Sequence, residues 1–287
     1  MSYQRRASPL HAARAAAGLA YCAALGCAAL LLSAPLALGA IVAAVMLAGH
    51  LAGIGRPLRR AALFAAVLGL FVMVINALVT RDGLTVIWRF GTLPILGHVD
   101  VTLEATVYGA VLGLRAVALV LCGALYTLAV DPDEVLRLFR RISFRSALTA
   151  TLATRMVPIL VRDARRMADA QRCRPGRPAT RVQLMRATTA GVLDRALDAA
   201  AALEVRGYGA ARRPPRTRAP YSRHDIGFFA SAAAVLGLSI AAKIGGVAPF
   251  TAYPALRAPL TGGEVALAAA LLVLALLPFA DRRGIER

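Results

Sequence analysis

Two arginines lie next to helix-breaking residues in the long polar stretch of the chain, and their chemistry suits a protein partner. Arg174 precedes Pro175, and Arg206 precedes Gly207, at the ends of two predicted amphipathic helices. An arginine offers five N–H donors in a fixed planar arrangement that matches carboxylates and carbonyl oxygens. We therefore predict that these two helix ends dock into grooves of another protein.

Motifs of catalysis and of metal binding are absent from the sequence. There is no HExxH, no GxSxG and no phosphate-binding Walker loop. The four histidines are scattered, and the four cysteines lack the spacing of metal ligands or of a disulfide framework. We expect a chain that is not an enzyme and that holds no metal and no cofactor of its own.

The composition is that of a membrane protein. Hydrophobic residues make up 59% of the 287 residues, more than a soluble domain of this size can bury. The net charge of +19 would suggest nucleic-acid binding in a soluble protein. In a membrane protein the excess of arginine on the cytoplasmic side explains the same charge. We therefore expect the lipid bilayer, and no nucleic acid, as a partner.

Six apolar stretches are long enough, or nearly so, to cross a hydrocarbon core of about 30 Å as helices. They are Ala15–Ala34, Leu36–Leu51, Ala61–Thr80, Val107–Val130, Ile226–Gly245 and Glu264–Ala280. The predicted fold class is an all-α membrane protein with about six transmembrane helices and a cytoplasmic pair of long amphipathic helices. The predicted domains are residues 1–130 (spans one to four), 131–220 (cytoplasmic) and 221–287 (spans five and six).

Arginine is distributed unevenly between the links that join the spans. Twenty arginines lie within residues 131–223, whereas the three links on the opposite side carry none, two and one. The positive-inside rule then places residues 131–220 and both termini in the cytoplasm. The outer link Arg81–Thr106 is predicted to be an interfacial loop with a short helix or turn, in which Trp88 anchors at the lipid headgroups.

Three helices are predicted within residues 131–220. The first starts at Asp131-Pro132, with Glu134 completing a capping box. The second begins near Ser143 or Ser146, is kinked at Pro158 and ends at Arg174. The third runs from about Ala179 to Arg206, and Gly207 provides a left-handed cap. Its apolar stripe is predicted to comprise Val182, Met185, Thr189, Val192, Leu193, Ala196, Ala200 and Leu203.

Two amphipathic helices in tandem could lie flat on an anionic bilayer. Acidic residues interleaved with the arginines favour a protein partner instead, because they weaken lipid attraction and suit pairing within the molecule. A short pattern also recurs, as Arg166-x-x-Asp169 before Arg174 and as Arg195-x-x-Asp198 before Arg206, with Glu204 close to the second tip.

Several of these elements together resemble a known family, the transmembrane T component (EcfT/CbiQ-like) of energy-coupling factor (ECF) transporters. These proteins belong to ATP-driven importers of vitamins and of nickel or cobalt. The resemblance covers about Pro57–Gly209. Its motifs are Thr154-Arg155-Met156-Val157-Pro158, the basic helix Asp163–Arg174 and the second helix Arg195–Gly207. The first tip reads Cys173-Arg174-Pro175, where the family commonly has Ala-Arg-Gly, and the second reads Val205-Arg206-Gly207.

The resemblance implies a coupling function in the inner membrane of a bacterium. Each arginine tip would dock on one of two ABC-type ATPase subunits, which bind ATP and Mg²⁺. Their closure would move the coupling helices and tilt a separate small substrate-binding (S) membrane subunit. The implied ATPase-coupling residues are Cys173, Arg174, Val205, Arg206 and Gly207. The implied structural residues of the coupling helices are Arg155, Pro158, Arg166, Asp169, Arg195, Asp198 and Glu204.

Three other classes remain as alternatives. One is a membrane scaffold with a lipid-binding basic cytoplasmic domain, the second is an ordinary ABC permease outside the ECF group, and the third is an intramembrane enzyme. The Glu-Ala-Ala…Gly loop of ordinary permeases is not found. Arg115, inside the fourth span, is a functional candidate by position. Its structural alternative is an arginine that reaches the outer face or pairs with Glu104 or Asp100.

Overall fold

The protein folds into ten α-helices and a two-stranded antiparallel sheet within the part that the computed structural model describes. That part comprises residues 6–80, 85–93, 97–139, 144–173, 180–207, 221–247 and 261–281. The chain divides into two compact units: Met1–Val135 with Tyr221–Arg287, here called the membrane unit, and Leu136–Pro220, here called the polar unit. In chain order the elements are α1 (Pro9–Ala12), α2 (Ala15–Leu31), α3 (Pro35–Leu51), α4 (Gly55–Val79), β1 (Val86–Leu93), β2 (Gly97–Thr102), α5 (Leu103–Ala129), α6 (Pro132–Phe139), α7 (Phe144–Arg172), α8 (Arg181–Val205), α9 (Arg223–Ile244) and α10 (Gly262–Leu276), the last followed by a 3₁₀ turn (Leu277–Phe279).

The predicted class of an all-α membrane protein is confirmed. Four helices of the described residues are long and apolar enough to span a membrane: α4, α5, α9, and α10 together with its 3₁₀ turn. The first two predicted spans correspond to α2 and α3, which are apolar but have only 17 residues each. At 1.5 Å per residue each reaches about 25 Å, somewhat less than a hydrocarbon core.

The link after α4 differs from its prediction. A short helix or turn was expected there, but β1 and β2 form an antiparallel hairpin with Val86 opposite Thr102 and Leu93 opposite Gly97. The β-branched and aromatic residues around Trp88 favour an extended backbone, which explains the hairpin. The β2 strand leads directly into α5, whose first turn is capped by the Thr102 side chain.

The core of the membrane unit is built around α2, which packs against α9, α5 and α3, while α10 packs against α3 and α9. Tyr21 is fully buried and packs edge-to-face against Phe228, with ring centroids 5.3 Å apart. Phe279 packs in the same way against Phe228. The Tyr21 hydroxyl donates a hydrogen bond to the carbonyl oxygen of Ala275 at 2.8 Å. This hydrogen bond joins α2 to the end of α10 and gives the buried phenol hydroxyl a partner.

Helices α4 and α5 approach each other through glycines. A Cβ atom added at Gly113 would lie 2.4 Å from the carbonyl oxygen of Gly69, and one at Gly109 would lie 2.8 Å from that of Met73. Such distances leave no room for a side chain, so glycine is required at this crossing. Small residues that let backbones approach are the usual basis of helix association in membranes. Much of the rest of α4 exposes large apolar side chains, as expected of a helix that faces lipid.

The polar unit contains α7, α8 and the second half of α6. Helix α7 is 29 residues long and continues past Pro158. Thr180 precedes α8 and forms a capping box with Gln183, in which each side chain bonds to the other residue's backbone N–H. This local signal fixes where α8 begins, close to the predicted Ala179.

Candidate functional site

The carboxyl end of α8 has the geometry of an exposed tip. Val205 is 90% exposed, and Arg206 follows it as an exposed C-cap residue. Gly207 has a φ of +73°, the left-handed conformation predicted for it, and its N–H donates to the Glu204 carbonyl oxygen at 2.8 Å. The chain therefore turns immediately after Arg206, which is the C-cap residue at the carboxyl end of α8.

The carboxyl end of α7 is the other predicted tip. The helix ends at Arg172, and Cys173 follows as an exposed turn residue. Arg174 lies outside the described residues. One turn earlier, Asp169 forms an ion pair with Arg172 at 3.4 Å, with both side chains well exposed. Exposed pairs of this kind contribute little to stability, so this pair does not by itself fix the tip.

A salt bridge ties the two helices together. Asp163 on α7 and Arg195 on α8 form an ion pair, with 19% and 42% of the respective side chains exposed. Asp163 is therefore one acidic residue among the arginines that pairs within the molecule, as predicted. Cys173 lies ten residues after Asp163, and Arg206 lies eleven residues after Arg195. At 1.5 Å per residue, each tip extends about 15 Å beyond the tie, so the two arms are nearly equal.

The packed face of α8 differs from the predicted stripe. Within the described residues the half-buried positions include Leu184, Thr188, Arg195 and Ala199. Most of the predicted stripe points outward instead, including Val182, Met185 and Leu193, which are 61%, 69% and 65% exposed. The half-buried face of α8 is therefore offset from the predicted stripe by about one residue. Alanine and threonine fill both faces of α8, so hydrophobicity alone distinguishes the faces poorly.

The remaining predicted residues of the coupling helices lie on exposed surface or within the helix. Arg166 on α7 is exposed, as is Pro158. Asp198 and Glu204 on α8 are exposed as well. Arg155 belongs to α7. The structure thus brings Arg195 into contact with α7 and leaves the charges nearest the α8 tip facing outward.

Arg115 has partners other than those predicted from its sequence position. Its Nη2 donates hydrogen bonds to the carbonyl oxygen of Leu32 at 3.0 Å and to Ser33 Oγ at 3.2 Å. Leu32 is the C-cap of α2, so the positive guanidinium lies at the negative end of that helix dipole. Glu104, the partner suggested by the sequence, accepts hydrogen bonds from Thr85. Arg115 therefore supports the α2–α3 link.

The acidic start of α6 also differs from its prediction. Asp131 does cap α6, because its Oδ1 accepts the N–H of Asp133 at 2.9 Å. Glu134 was expected to complete a capping box within α6. Its Oε2 accepts the N–H of Ala15 at 2.8 Å instead, so it caps α2, more than a hundred residues away in the chain. The local sequence could not reveal this contact, because Ala15 is distant in the chain and Asp131 already accepts an N–H at the start of α6.

Sequence reasoning did not single out Asp163, the partner of Arg195, or Asp225, whose Oδ1 accepts the N–H of Arg14 at 2.7 Å. The partner of Asp163 lies on the next helix, beyond the reach of the i, i+4 rule. No group of three or more histidine, cysteine or acidic residues that could hold a metal ion occurs among the residues described.

The comparison with known families gives one match. The sequence model of the family described as CbiQ, cobalt transport protein, matches residues 6–217. This range contains α2 to α8 with both predicted tips, and it covers well over half of the 287 residues. No curated protein matches the chain. The resemblance read from the arginine tips is thereby confirmed, and the chain belongs to the CbiQ cobalt transport protein family.

Proposed function

We propose that this membrane protein is the coupling subunit of an ATP-driven importer of the ECF type. Two ABC-type ATPase subunits bind ATP and Mg²⁺, and each binds one arginine tip, Arg174 or Arg206. A small substrate-binding membrane subunit carries the cargo. The chain itself transmits motion and hydrolyses nothing, and it lies in the bacterial inner membrane with both termini in the cytoplasm.

One observation carries the proposal: the exposed tip of α8. An apolar Val205, an exposed Arg206 and a left-handed Gly207 lie at the end of a helix that an ion pair joins to α7. An exposed valine next to an exposed arginine suits a groove that is apolar inside and has carboxylates or carbonyl oxygens at its rim. The equal arms beyond the tie support a pair of tips that engage two equivalent partners.

The cargo is a vitamin or a transition-metal ion. The family's description as cobalt transport proteins supports a transition-metal ion as the first cargo to test. Cobalt and nickel uptake by cells that express the chain with its neighbouring genes, compared with uptake of radiolabelled vitamins, distinguishes the two classes.

The decisive experiment removes the α8 tip. Arg206→Ala should weaken retention of the ATPases about thirtyfold or more, because truncating a buried interfacial arginine also strands its partner. Arg186→Ala, which removes another exposed arginine of α8, is the matched control and should change little. Co-purification of the ATPases and cargo uptake by proteoliposomes measure both variants. Normal uptake by the Arg174→Ala/Arg206→Ala double variant would falsify the proposal.

A lipid-binding scaffold is the second candidate, and the outward face of α8 favours it. Val182, Met185, Leu193 and Leu197 are all more than 60% exposed on a helix that also carries arginines. Spin labels at Leu193 and Leu197 of the full chain in nanodiscs distinguish the two candidates. Labels immersed in lipid, with no ATPase retained by the chain, support the scaffold, whereas labels in water support the coupling subunit.

A further inference from the structure

The amino end of α2 is held by two carboxylates from distant parts of the chain. The N–H of Ala15 donates to Glu134 Oε2 at 2.8 Å, and the N–H of Arg14 donates to Asp225 Oδ1 at 2.7 Å. Arg14 is the N-cap residue of α2, and its own side chain makes no capping bond. The two carboxylates replace the local cap and also meet the positive end of the helix dipole. These four residues are here called the α2 anchor.

Asp225 is the more deeply embedded of the two carboxylates. It is fully buried, and its Oδ2 accepts the N–H of Ser222 at 2.9 Å. The same oxygen lies 3.4 Å from Nε of Arg14, whose guanidinium stacks 5.0 Å above the Tyr221 ring. A buried carboxylate is stable only when several donors compensate its charge. Asp225 therefore binds the start of α9 to the start of α2 through both backbone and side chain.

Glu134 joins the start of α6 to the same turn of α2. Around its bond to Ala15, a small buried cluster forms from Ala15, Val130 and Val135, with Leu19 and Tyr126 packed against it. The carboxylate contact is thus supported by apolar packing on both sides of Glu134 in the chain. A charge-assisted bond inside such a cluster resists displacement more than an exposed one.

The anchor lies where the polar unit joins the membrane unit in the chain. The polar unit begins at Leu136, two residues after Glu134, and it ends at Pro220, five residues before Asp225. Glu134, just before the polar unit in the chain, and Asp225, just after it, therefore both hold the first turn of α2. We infer that Glu134 and Asp225 are positioning residues that pass displacement of the polar unit to α2 and to the Tyr21 core behind it. This inference rests on the proposed coupling function.

If the contacts of Glu134 and Asp225 with α2 were loose, displacement of the polar unit would not be passed on to α2. If either carboxylate loses its charge, the amide it holds keeps only a weaker neutral acceptor. The start of α6 or of α9 can then move while α2 stays in place. The expected result is ATP hydrolysis without proportionate transport, which differs from the loss of ATPase binding expected for Arg206→Ala.

The test uses Glu134→Gln, Asp225→Asn and their combination in the full chain, with Asp133→Asn from the same turn of α6 as the matched control. In nanodiscs, amide hydrogen exchange at Arg14 and Ala15 should accelerate about tenfold in the double variant, because charged hydrogen bonds protect amides more than neutral ones. In the assembled transporter, cargo imported per ATP should fall about fivefold while the ATPases still co-purify. A fivefold fall corresponds to about 1 kcal/mol of lost coupling.

Each outcome bears on one inference. Unchanged exchange at both amides in the double variant would show that the anchor does not hold. Accelerated exchange with unchanged cargo per ATP would show that it plays no part in coupling. If the wild-type chain retains no ATPase, the proposed function fails, while the exchange experiment still reports on the anchor. Should the double variant not fold, Glu134→Gln alone tests the anchor through exchange at Ala15 and cargo per ATP, because the substitution is nearly isosteric and the position is half-exposed.

Discussion

The membrane unit and the polar unit differ in where their acidic side chains lie, because the buried ones among the described residues are all in the membrane unit. In the membrane unit Asp225, Glu104 and Glu264 are at most 4% exposed, and each lies in the first turn of a helix. In the polar unit Asp169, Asp198 and Glu204 face outward, and only Asp163 is substantially covered. Buried carboxylates at helix starts make a fixed frame. Exposed charges on long helices leave a surface that a partner can bind.

The packing around glycines on the helices also differs between the two units. In the membrane unit α4 and α5 meet backbone to backbone at Gly69 and Gly113. In the polar unit, by contrast, Gly191 of α8 has nothing within 4 Å of a Cβ placed on it. A crossing as close as that at Gly113 tolerates few substitutions, whereas an open position such as Gly191 tolerates many. We therefore expect substitutions at closely packed positions of the membrane unit to change folding stability, and substitutions in the polar unit to change the binding of a partner.

The largest expected effect on stability comes from closing the gap between α4 and α5. Gly113→Val should destabilise the membrane unit by about 3 kcal/mol, because the first added carbon would overlap the Gly69 carbonyl and force the helices apart. Gly123→Val on the same helix is the control, since nothing lies within 4 Å of its Cβ position. Thermal unfolding in detergent measures both. Equal melting temperatures for the two variants would contradict the close packing of α4 against α5 at Gly113.

A smaller effect is expected at the aromatic core. Tyr21→Phe keeps the edge-to-face contacts with Phe228 and Phe279 but removes the hydrogen bond to Ala275. The expected loss is about 1 kcal/mol of unfolding free energy, the usual value for one buried hydrogen bond. Denaturant unfolding of the purified chain measures it. A neutral result would mean that the bond between α2 and the end of α10 adds nothing to the frame.

The polar unit should respond more weakly still. A double-mutant cycle on Asp163 and Arg195, built from the two alanine variants and their combination, should give a coupling energy of about 0.5 kcal/mol, because both side chains retain solvent contact. The same cycle on Asp169 and Arg172, an exposed pair, serves as the control and should give no measurable coupling. Amide exchange along α7 and α8 measures both. A larger coupling in the control pair would contradict the role of Asp163 as the tie.

Much of the fold follows from the sequence, because apolar length and local caps decide it. The six apolar helices occur in the predicted order, and α8 begins at a Thr180 cap and ends before a left-handed Gly207. These signals are local, and each acts within one or two turns of helix. The same locality explains why Arg206 was identifiable as a tip residue.

The failures all involve contacts that span the chain or choices between similar faces. Glu134 has a suitable local role in α6, yet it caps α2 because the folded chain brings Ala15 within reach. The α8 stripe was misplaced because alanine occurs on both faces, so tertiary packing decides which one is covered. The hairpin at Val86–Thr102 was missed because its apolar residues also fit an interfacial turn. Such outcomes depend on neighbours that a single sequence does not identify.

The smallest expected effect is a pH dependence in the membrane unit. His11 is 7% exposed, its Nδ1 lies 2.7 Å from Ser8 Oγ, and burial together with the nearby charge of Arg6 lowers its pKa below the usual 6.5. The fold therefore favours the neutral ring, whereas the unfolded chain takes up a proton at higher pH. Stability is complete above about pH 6.5 and is lost as the pH falls below that value through the lowered folded pKa.

His11→Gln removes this titration and keeps a polar side chain beside Ser8. The melting temperature of the wild type should fall more steeply between pH 7 and pH 5 than that of the variant, so that the two curves converge in acid. Thermal unfolding in detergent across that range makes the comparison. Parallel curves would show that His11 is charged in the fold as readily as in the unfolded chain. The membrane unit would then accept a charged side chain at His11. The difference between the two units in the burial of charge would not extend to the amino-terminal end of the chain.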